Sequence, residues 1–249
     1  MRKEKNWKYY LKCSLKEMFN MLVESESVIK KIIQRSEDVK TFYIKPDKKI
    51  EYEAGQFVML KALVGNKKIG RAYSVASINS DENIEITFKI CGEFTNYLNT
   101  LKVGDKIICQ GPFGHFTLNK NTNKKITLIA TGTGITPLRS ILRELYTKNK
   151  IKDFEKITLI YGSRFLNTLN YNEEFVTMNV KFDNFEYIPV LSREDNWTGK
   201  RGHVQNIVKE NIDKETTYYI CGLPVMAEEV YKILTENGVE KKNIIVERF

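Results

Sequence analysis

The sequence is poor in metal-binding side chains and has no long apolar segment. It contains two histidines and four cysteines in 249 residues, and no two of the cysteines form a CxxC pair. This distribution excludes a structural zinc site and a cysteine-ligated iron–sulfur cluster within the chain, so we expect no metal. No uncharged apolar run is long enough to span a bilayer, so we expect no integral membrane segment. The basic N-terminus lacks the apolar core of a secretory signal, and the scattered cysteines indicate a reducing, cytoplasmic compartment.

Acidic residues are fewer than basic residues in this sequence. Lys and Arg total 40 against 31 Asp and Glu, which gives a net charge of +9. A basic protein attracts acidic partners, but no helix-turn-helix pattern, ribonucleoprotein motif or zinc finger is present, so we expect no nucleic acid. Two interpretations stay open: steering of a small acidic protein, or a lysine-rich solvated surface. With 42% hydrophobic and 29% charged residues, the chain is predicted to fold as a globule.

Residues 1–26 are predicted to form a helical extension. Apolar residues recur at helical spacing between lysines, which predicts one helix from residue 1 to about residue 25. The apolar positions are Trp7, Tyr10, Leu11, Leu15, Met18, Phe19 and Leu22. This helix either packs on its own protein or docks on a partner or a membrane surface.

Residues 27–120 have the pattern of an antiparallel β-barrel domain. Short apolar or alternating runs are separated by Gly, Asn and Asp, and one helix is predicted over Thr95–Leu101. The predicted strands are Val28–Ile33, Thr41–Ile44, Gln56–Ala62, Ala72–Ala76, Ile84–Ile90 and Lys106–Gln110. The polar tract Asn119–Lys125 marks the boundary to the next domain.

Residues 121–249 alternate between strand and helix patterns, which predicts a doubly wound parallel sheet. The predicted strands are Ile126–Ala130, Ile157–Tyr161, Phe185–Leu191, Thr217–Cys221 and Ile244–Val246. The predicted helices are Pro137–Lys148, Tyr171–Thr177, His203–Lys209 and Val225–Asn237. The fold class is therefore an all-β domain followed by an α/β domain.

One predicted barrel strand suits a flavin nucleotide. Arg71 and Tyr73 share a face of the strand, where the guanidinium can bind pyrophosphate oxygens and the phenol ring can lie flat against an isoalloxazine. Ser74 faces the other way and reaches the flavin edge only if the strand bends, and Ser77 follows in the same segment. An ordinary strand with an exposed Arg and Tyr is the alternative.

A second segment of this domain suits an anion. Gly92-Glu93-Phe94-Thr95 stands where a strand ends and a helix begins, and Thr95 is the predicted N-cap. The free amides of that first turn, beginning at Gly92, can bind a phosphate. We therefore expect a flavin diphosphate between Arg71 and this turn.

The first strand–helix turn of the α/β domain suits a dinucleotide pyrophosphate. The glycines permit a tight turn and a close approach of the ligand to the backbone, and the proline fits the first turn of the helix. The candidate residues are Gly132, Thr133, Gly134, Thr136 and Pro137. Because the full GxGxxG pattern is absent, a strand–helix connection without a ligand is the alternative.

Two further strand ends add candidates. Ser163 and Arg164 stand where an acidic residue would favour a free ribose hydroxyl, so they favour the 2′-phosphate of NADPH over NADH. Cys221 and Gly222 follow another buried strand, where Cys221 either packs against a nicotinamide or is an inert buried thiol. Further basic candidates are Arg193, Lys200 and Arg201.

Together these motifs resemble the ferredoxin–NADP reductase family over residues 28–249. The motifs that carry the resemblance are Arg71–Ser77, Gly92–Thr95, Gly132–Pro137, Cys221–Met226 and the terminal Glu247-Arg248-Phe249. The resemblance implies FAD, with Arg71 at the pyrophosphate, Tyr73 at the ring and Ser74 at the flavin edge.

The same resemblance assigns the nicotinamide side. The Gly134–Pro137 turn would hold the NADP(H) pyrophosphate, with NAD(H) as the other possible coenzyme, and Cys221 would border the nicotinamide. Phe249 would cover the flavin face. Ser74, Cys221 and Glu247 would tune polarity and proton supply.

The activity that this resemblance implies is that of an FAD-dependent NAD(P)H oxidoreductase. It would exchange single electrons with an acidic carrier such as ferredoxin or flavodoxin. Because the chain has no cysteine set for a cluster, the electrons must leave to a separate acceptor. One alternative is a reductase subunit of an oxygenase or another multi-component redox complex. A non-catalytic nucleotide-binding adaptor is another.

Overall fold

Two six-stranded sheets organise the chain. The computed structural model describes residues 22–118 and 122–248. The strands of the first sheet are β1 (Val23–Ser36), β2 (Val39–Pro46), β3 (Phe57–Val64), β4 (Lys67–Ser74), β5 (Ile84–Lys89) and β6 (Lys106–Phe113). All pairs are antiparallel in the order β4-β3-β6-β1-β2-β5, which makes β4 and β5 the two edges.

The two edges of this sheet meet at one end, so the sheet curls into a half-barrel. Beyond β4, Val75 forms a single bridge with Ile86 of β5, and the Ala76 amide donates to the Glu85 carbonyl at 2.8 Å. The interior is filled by large apolar side chains, among them Phe42, Ile44, Leu60, Ile86 and Phe88. One helix, α1 (Glu93–Thr100), follows β5 and buries Phe94 and Leu98 against this core.

The second sheet is parallel. Its strands are β7 (Lys125–Thr131), β8 (Lys156–Ser163), β9 (Phe185–Leu191), β10 (Lys200–Arg201), β11 (Thr216–Cys221) and β12 (Ile244–Glu247). Their order is β10-β9-β8-β7-β11-β12. The chain therefore proceeds in one direction from β7 to β10 and then crosses to the other side of β7. This reversal creates a switch point between β7 and β11.

Helices cover both faces of the parallel sheet. They are α2 (Ile135–Thr147), α3 (Asn172–Lys181), α4 (Val204–Glu210) and α5 (Pro224–Glu236). Successive strand residues face opposite sides, so Leu128 packs with α2 and α3 whereas Ile129 packs with α4 and α5. The predicted combination of an antiparallel flavin-type barrel and a doubly wound parallel sheet is confirmed.

Several boundaries differ from the prediction. Most of the predicted N-terminal helix lies outside the described residues, but residues 23–25 belong to β1, so the helix prediction was wrong there. The sequence analysis also missed β10, a strand of only two exposed residues whose pattern carries no periodic signal. Within the described part of the chain, no helix has the length and apolar character needed to cross a membrane.

Apolar contacts join the two domains. Ala54, Ala76 and Phe116 of the barrel domain belong to the same buried cluster as Leu138 and Ile141 of α2. Because α2 begins at the glycine turn after β7, this packing places that turn next to the barrel.

Candidate functional site

The predicted flavin strand is β4, at an edge of the half-barrel. Arg71 is exposed, donates to the Gly70 carbonyl at 2.8 Å and forms no ion pair with residues 22–118 or 122–248. Tyr73 is half-buried, and its ring lies nearly parallel to Phe94 with centroids 6.4 Å apart and edge-on to Phe88 at 6.1 Å. Burial raises the pKa of the Tyr73 phenol, which keeps it neutral. The strand thus presents an unpaired guanidinium and an accessible ring.

The backbone changes partner at Ser74. Pairing with β3 ends at this residue, and Val75 bridges to β5 instead. The Ser74 side chain is 6% exposed, and its hydroxyl has no hydrogen-bond partner among the residues that the structure describes. Ser74 is thus the last residue of β4, the next bend of the chain comes at Ser77, and the Ser74 hydroxyl can donate or accept a hydrogen bond.

The turn before α1 is shaped by Thr95. The N-cap is Gly92, so the prediction that Thr95 is the N-cap was wrong. Thr95 is the third helical residue, and its hydroxyl oxygen accepts the amides of Cys91 and Gly92, each at 2.9 Å. A Cβ built on Gly92 would meet no atom of the described residues within 4 Å. The open space beside uncapped helical amides suits an anion, although Glu93 adds a negative charge in the same turn.

The turn between β7 and α2 has the features of a phosphate cradle. Gly132 adopts a φ of 55°, a conformation that favours glycine, and a Cβ there would also lie more than 4 Å from every other atom that the structure describes. The Thr136 hydroxyl donates to the Thr133 carbonyl at 2.9 Å and stiffens the turn. Pro137 is in the first turn of α2, where its missing amide leaves no helical bond unmade, and no side chain from the described part of the chain caps this helix.

This turn packs directly on the turn that follows β11. A Cβ on Gly134 would lie 2.6 Å from both the Cys221 carbonyl carbon and the Gly222 Cα. The Thr131 hydroxyl accepts the Leu223 amide at 3.2 Å. Because sheet order reverses between β7 and β11, the contact lies at the switch point, where open α/β sheets bind ligands. The turn predicted to bind the pyrophosphate and the turn predicted to border the nicotinamide are therefore in contact.

Cys221 and Glu247 lie side by side on β11 and β12. The Cys221 side chain is 0% exposed, and burial raises the pKa of its thiol, which therefore stays protonated. Burial likewise raises the pKa of the half-buried Glu247 carboxyl. The position of Cys221 fits the prediction, but contact between its thiol and a nicotinamide would need the covering atoms to move. Phe249 lies outside the described residues.

Two arginines meet at the ends of β8 and β9. Arg164 and Arg193 are exposed, and the Arg193 amide donates to the Arg164 carbonyl at 3.0 Å. Neither guanidinium forms an ion pair within the described ranges. By contrast, Lys200 pairs with Glu210 at 3.2 Å, and Arg201 donates to the backbone carbonyl of Trp197 at 2.9 Å. Arg164 and Arg193 are therefore the available cations at this edge.

Two predicted serines are used inside the protein. Ser77 is 1% exposed, and its hydroxyl oxygen accepts the Glu85 amide at 2.9 Å and bonds the Tyr52 hydroxyl at 2.8 Å. The Ser163 hydroxyl bonds that of Thr168 at 2.7 Å. We therefore leave Ser77 out of the proposed cofactor site and treat Ser163 as a residue that shapes its loop.

Sequence reasoning missed two residues that hold the glycine turn. The buried Tyr161, on β8, donates its hydroxyl to the Gly132 carbonyl at 2.9 Å. Thr131 makes the contact to Leu223 described above. Both contacts join segments far apart in sequence, so no local pattern could reveal them.

The candidate site has two halves: a flavin half-site formed by β4 and the turn before α1, and a nicotinamide half-site formed by the turns after β7 and β11. The start of α2 connects the two half-sites. The Ser140 hydroxyl donates to the Ser77 carbonyl at 2.5 Å, and an Arg139 guanidinium nitrogen donates to the Ala76 carbonyl at 2.8 Å. The barrel strand β5 also contacts the turn at residues 132–134. The segment that follows Ser74 is thus held against the helix that begins at Gly134.

An antiparallel half-barrel followed by a doubly wound sheet with a glycine turn at its switch point is the architecture of two-domain flavoprotein oxidoreductases. Family comparisons agree. The model for an oxidoreductase FAD-binding domain matches residues 26–118, and the model for an oxidoreductase NAD-binding domain matches residues 128–232. The chain belongs to the ferredoxin–NADP reductase family, and it is an oxidoreductase that binds FAD and a nicotinamide coenzyme.

Known proteins similar to this chain come from several redox systems. One subunit of the Na(+)-translocating NADH-quinone reductase of Serratia proteamaculans is 33% identical over 207 residues, which cover 75% of this chain and 50% of that protein. The chain therefore spans about half of the length of this relative. A ferredoxin NADP+ reductase from Neisseria gonorrhoeae with bound FAD and NADP superposes with a TM-score of 0.80 at 22% identity, covering 91% of this chain and 98% of that one. The Amycolatopsis cytochrome P450 reductase GcoB superposes with a TM-score of 0.82 at 23% identity, covering 92% and 70%.

The residues in place fit both cofactors. On the flavin side, Arg71 has no ion-pair partner among the described residues, the Ser74 hydroxyl is free and open space lies beside Gly92. On the nicotinamide side, open space lies beside Gly132 at an uncapped helix start. In the described ranges, no group of three or more His, Cys, Asp or Glu is arranged to hold a metal ion.

Proposed function

We propose that this protein is the reductase component of a multi-component redox system. It oxidises NAD(P)H through FAD and passes electrons one at a time to an acceptor on a separate protein. The observation that carries the proposal is the junction of the two half-sites, where the Gly134 and Gly222 turns meet and α2 is bonded to the segment after Ser74. The similarity to one component of an NADH-quinone reductase favours an acceptor within a complex.

On the flavin side, each chain residue has a distinct task. FAD bound here would supply the hydride acceptance and the single-electron release, for which amino-acid side chains have no equivalent. Arg71 and the first amides of α1 bind the diphosphate, since both offer donors to an anion. Tyr73 provides the stacking surface, and the free Ser74 hydroxyl bonds the edge of the ring.

On the nicotinamide side, the backbone does most of the binding. The uncapped amides at Gly132–Gly134 hold the pyrophosphate, and the close packing on Gly222 fixes where the nicotinamide end lies. Arg164 and Arg193 bind the adenosine end, where they favour a 2′-phosphate. Glu247 keeps a proton near the junction to a higher pH than an ordinary glutamate, because burial raises its pKa. Fixing both coenzymes in one geometry supplies the rate advantage of proximity.

The first experiment is an absorbance spectrum of the purified full-length chain, followed by anaerobic titration with NADH and NADPH. We expect a yellow protein whose flavin absorbance decreases when at least one of the two reduced coenzymes is added. A colourless protein that reduces no artificial acceptor would contradict the proposal and favour a non-catalytic nucleotide-binding adaptor.

A second candidate acceptor is a soluble ferredoxin or flavodoxin. The net charge of +9 favours it, because an acidic carrier would be steered toward a basic surface. The test is the rate of reduction of an acidic ferredoxin against salt concentration. Steering predicts a steep fall as salt rises, whereas a rate that does not change with salt contradicts it. The free thiols of Cys91, Cys109 and Cys221 fit a reducing, cytoplasmic setting for either acceptor.

A further inference from the structure

A cluster of charged and polar side chains lies between the two domains, with a buried centre and a partly exposed margin, and the nucleotide sites do not use it. We call it the interdomain polar cluster, and it consists of Arg35, Glu85, Arg139, Tyr171 and Glu174. Glu85 on β5 is 2% exposed and Arg139 on α2 is 7% exposed. Arg139 donates to Glu85 at 2.8 Å and to Glu174 at 2.8 Å, and Arg35 donates to the other Glu85 oxygen at 3.3 Å.

Tyr171 sits at the centre of this cluster. Its hydroxyl donates to Glu85 at 2.9 Å, and its ring lies between two guanidinium groups, with Arg35 at 4.3 Å and Arg139 at 3.9 Å from the centroid. Tyr171 has a φ of 63°, which is rare for a bulky residue. Such a conformation persists only where surrounding contacts over-determine it, and it is common at sites with a functional constraint.

The cluster is bonded to both half-sites. Arg139 lies in the second turn of α2, the helix that begins at the nicotinamide turn. The same guanidinium nitrogen that reaches Glu85 also donates to the Ala76 carbonyl at 2.8 Å, just beyond Ser74. The next residue of α2, Ser140, donates to the Ser77 carbonyl at 2.5 Å. A shift of α2 relative to β5 would therefore change the distance between the nicotinamide turn and the flavin strand.

Charge-assisted hydrogen bonds cross this side of the interface in addition to the packing contacts. A recess of about 240 Å³ adjoins the cluster, and Tyr43, Asn83 and Arg143 help to line it. Apolar contacts elsewhere in the interface are non-directional, whereas charge-assisted hydrogen bonds fix both distance and angle. The polar cluster is thus the part of the interface that sets the relative position of the domains.

We propose that Glu85 and Arg139 are positioning residues for hydride transfer. They hold the nicotinamide turn at reactive distance from the flavin strand without binding either coenzyme. The proposal rests on the proposed function for its kinetic part. A misplacement of about 1 Å can slow an enzymatic reaction by about 100-fold, so a small relaxation of the interface has a large effect on rate.

The test variant is Glu85→Gln, which keeps the side-chain shape and removes the charge that binds Arg139. We expect bound flavin and the dissociation constant for the coenzyme to stay within about twofold of the original protein. We expect the limiting rate of flavin reduction, measured by anaerobic stopped flow, to fall by about tenfold or more. The charge-transfer absorbance of the flavin–nicotinamide complex should weaken in parallel, because it depends on the contact between the rings.

Asp81→Asn is the matched control. The Arg143–Asp81 pair also crosses the interface at 2.5 Å, but its two side chains are 27% and 28% exposed. This bidentate pair is half-buried and borders the cluster, because Arg143 also comes within 3.9 Å of Glu174. It is more accessible to solvent than Glu85 and Arg139, so it is screened more strongly, and we expect a smaller change in the limiting rate, less than about twofold. If this control slows reduction as much as Glu85→Gln does, or if Glu85→Gln reduces at the original rate, the positioning role is overturned.

Two further measurements keep the test decisive. If Glu85→Gln does not fold, Arg139→Lys is the alternative variant. It keeps the positive charge but loses the planar guanidinium that donates to Glu85 and Glu174 together, so we expect the limiting rate of flavin reduction to fall by about tenfold or more in this variant as well. Hydrogen exchange needs no redox activity: amides at 74–77 and 132–136 should exchange faster in the cluster variant than in Asp81→Asn. Unchanged exchange overturns the positional link. A protein that binds no flavin but shows this exchange pattern overturns the proposed function alone.

Discussion

The two nucleotide half-sites are built in different ways. The flavin half uses side chains on an antiparallel edge strand: a guanidinium, a phenol ring and a hydroxyl. The nicotinamide half uses backbone amides and glycines where two parallel strands end, and its turns pack so closely that a Cβ on Gly134 would lie 2.6 Å from the Gly222 Cα. A site made of side chains loses part of its ligand affinity with each side chain that is truncated. A site made of backbone and glycines is instead disrupted when a substitution adds atoms to it.

Adding one methyl group to the nicotinamide half should have the largest effect. Gly134→Ala forces a Cβ against Gly222, and overpacking of this kind costs about 1–3 kcal/mol of folding stability. We expect this loss in urea unfolding, together with a coenzyme dissociation constant raised by about tenfold or more. Gly92→Ala is the control, since its Cβ meets nothing within 4 Å and its φ of −171° suits any residue. Equal loss of folding stability in both variants would contradict the conclusion that only the nicotinamide half-site is too closely packed to accept an added side chain.

Trimming the flavin half should have a smaller, separable effect. Tyr73→Ala removes the proposed stacking surface and the contact with Phe94, and we expect flavin affinity to fall by about 1–2 kcal/mol, or about tenfold. The flavin-to-protein ratio after gel filtration measures this loss. Tyr73→Phe keeps the ring and should retain flavin. Full flavin content in the alanine variant would argue that Tyr73 does not stack on the cofactor.

The edge of the nicotinamide half is the exception, because there a side chain decides specificity. Arg164→Ala should weaken NADPH more than NADH, by about fivefold, since an exposed cation is screened by solvent. Michaelis constants for both coenzymes measure the ratio, and Arg193→Ala should act in the same direction. If both constants change equally, neither arginine recognises a 2′-phosphate.

The smallest expected effect concerns pH. Burial raises the pKa of Glu247 above that of an unfolded glutamate, so the stability that its neutral form contributes is present at low pH and is lost as pH rises through the raised pKa. Glu247→Gln stays neutral at every pH. The stability of the variant relative to the original chain should therefore increase with pH across this window, measured by urea unfolding. A difference that does not vary with pH would indicate that Glu247 titrates normally.

The sequence was most informative where a signal is local. The alternation of Leu128 and Ile129 between two helix layers follows from strand periodicity, and the glycine turn at Gly132 follows from residue type. The N-cap at Gly92 was missed because Thr95 caps the turn from inside the helix, which composition alone does not distinguish. Tyr161 and the interdomain polar cluster were missed because their contacts join residues distant in sequence. The position of Cys221 at the end of a strand was predicted, but its burial depends on packing that no short motif encodes.

Within residues 22–118 and 122–248, the single bridge between Val75 and Ile86 leaves the remainder of the β4 and β5 edges without strand partners on one side. Arg71 stands on one margin of that gap, and α1 continues from the other. A dinucleotide bound to both Arg71 and α1 would bridge the gap between the two edge strands and hold them together. Removing it should loosen the edge strands first, while the central strands β1 and β6 keep their protection from solvent exchange.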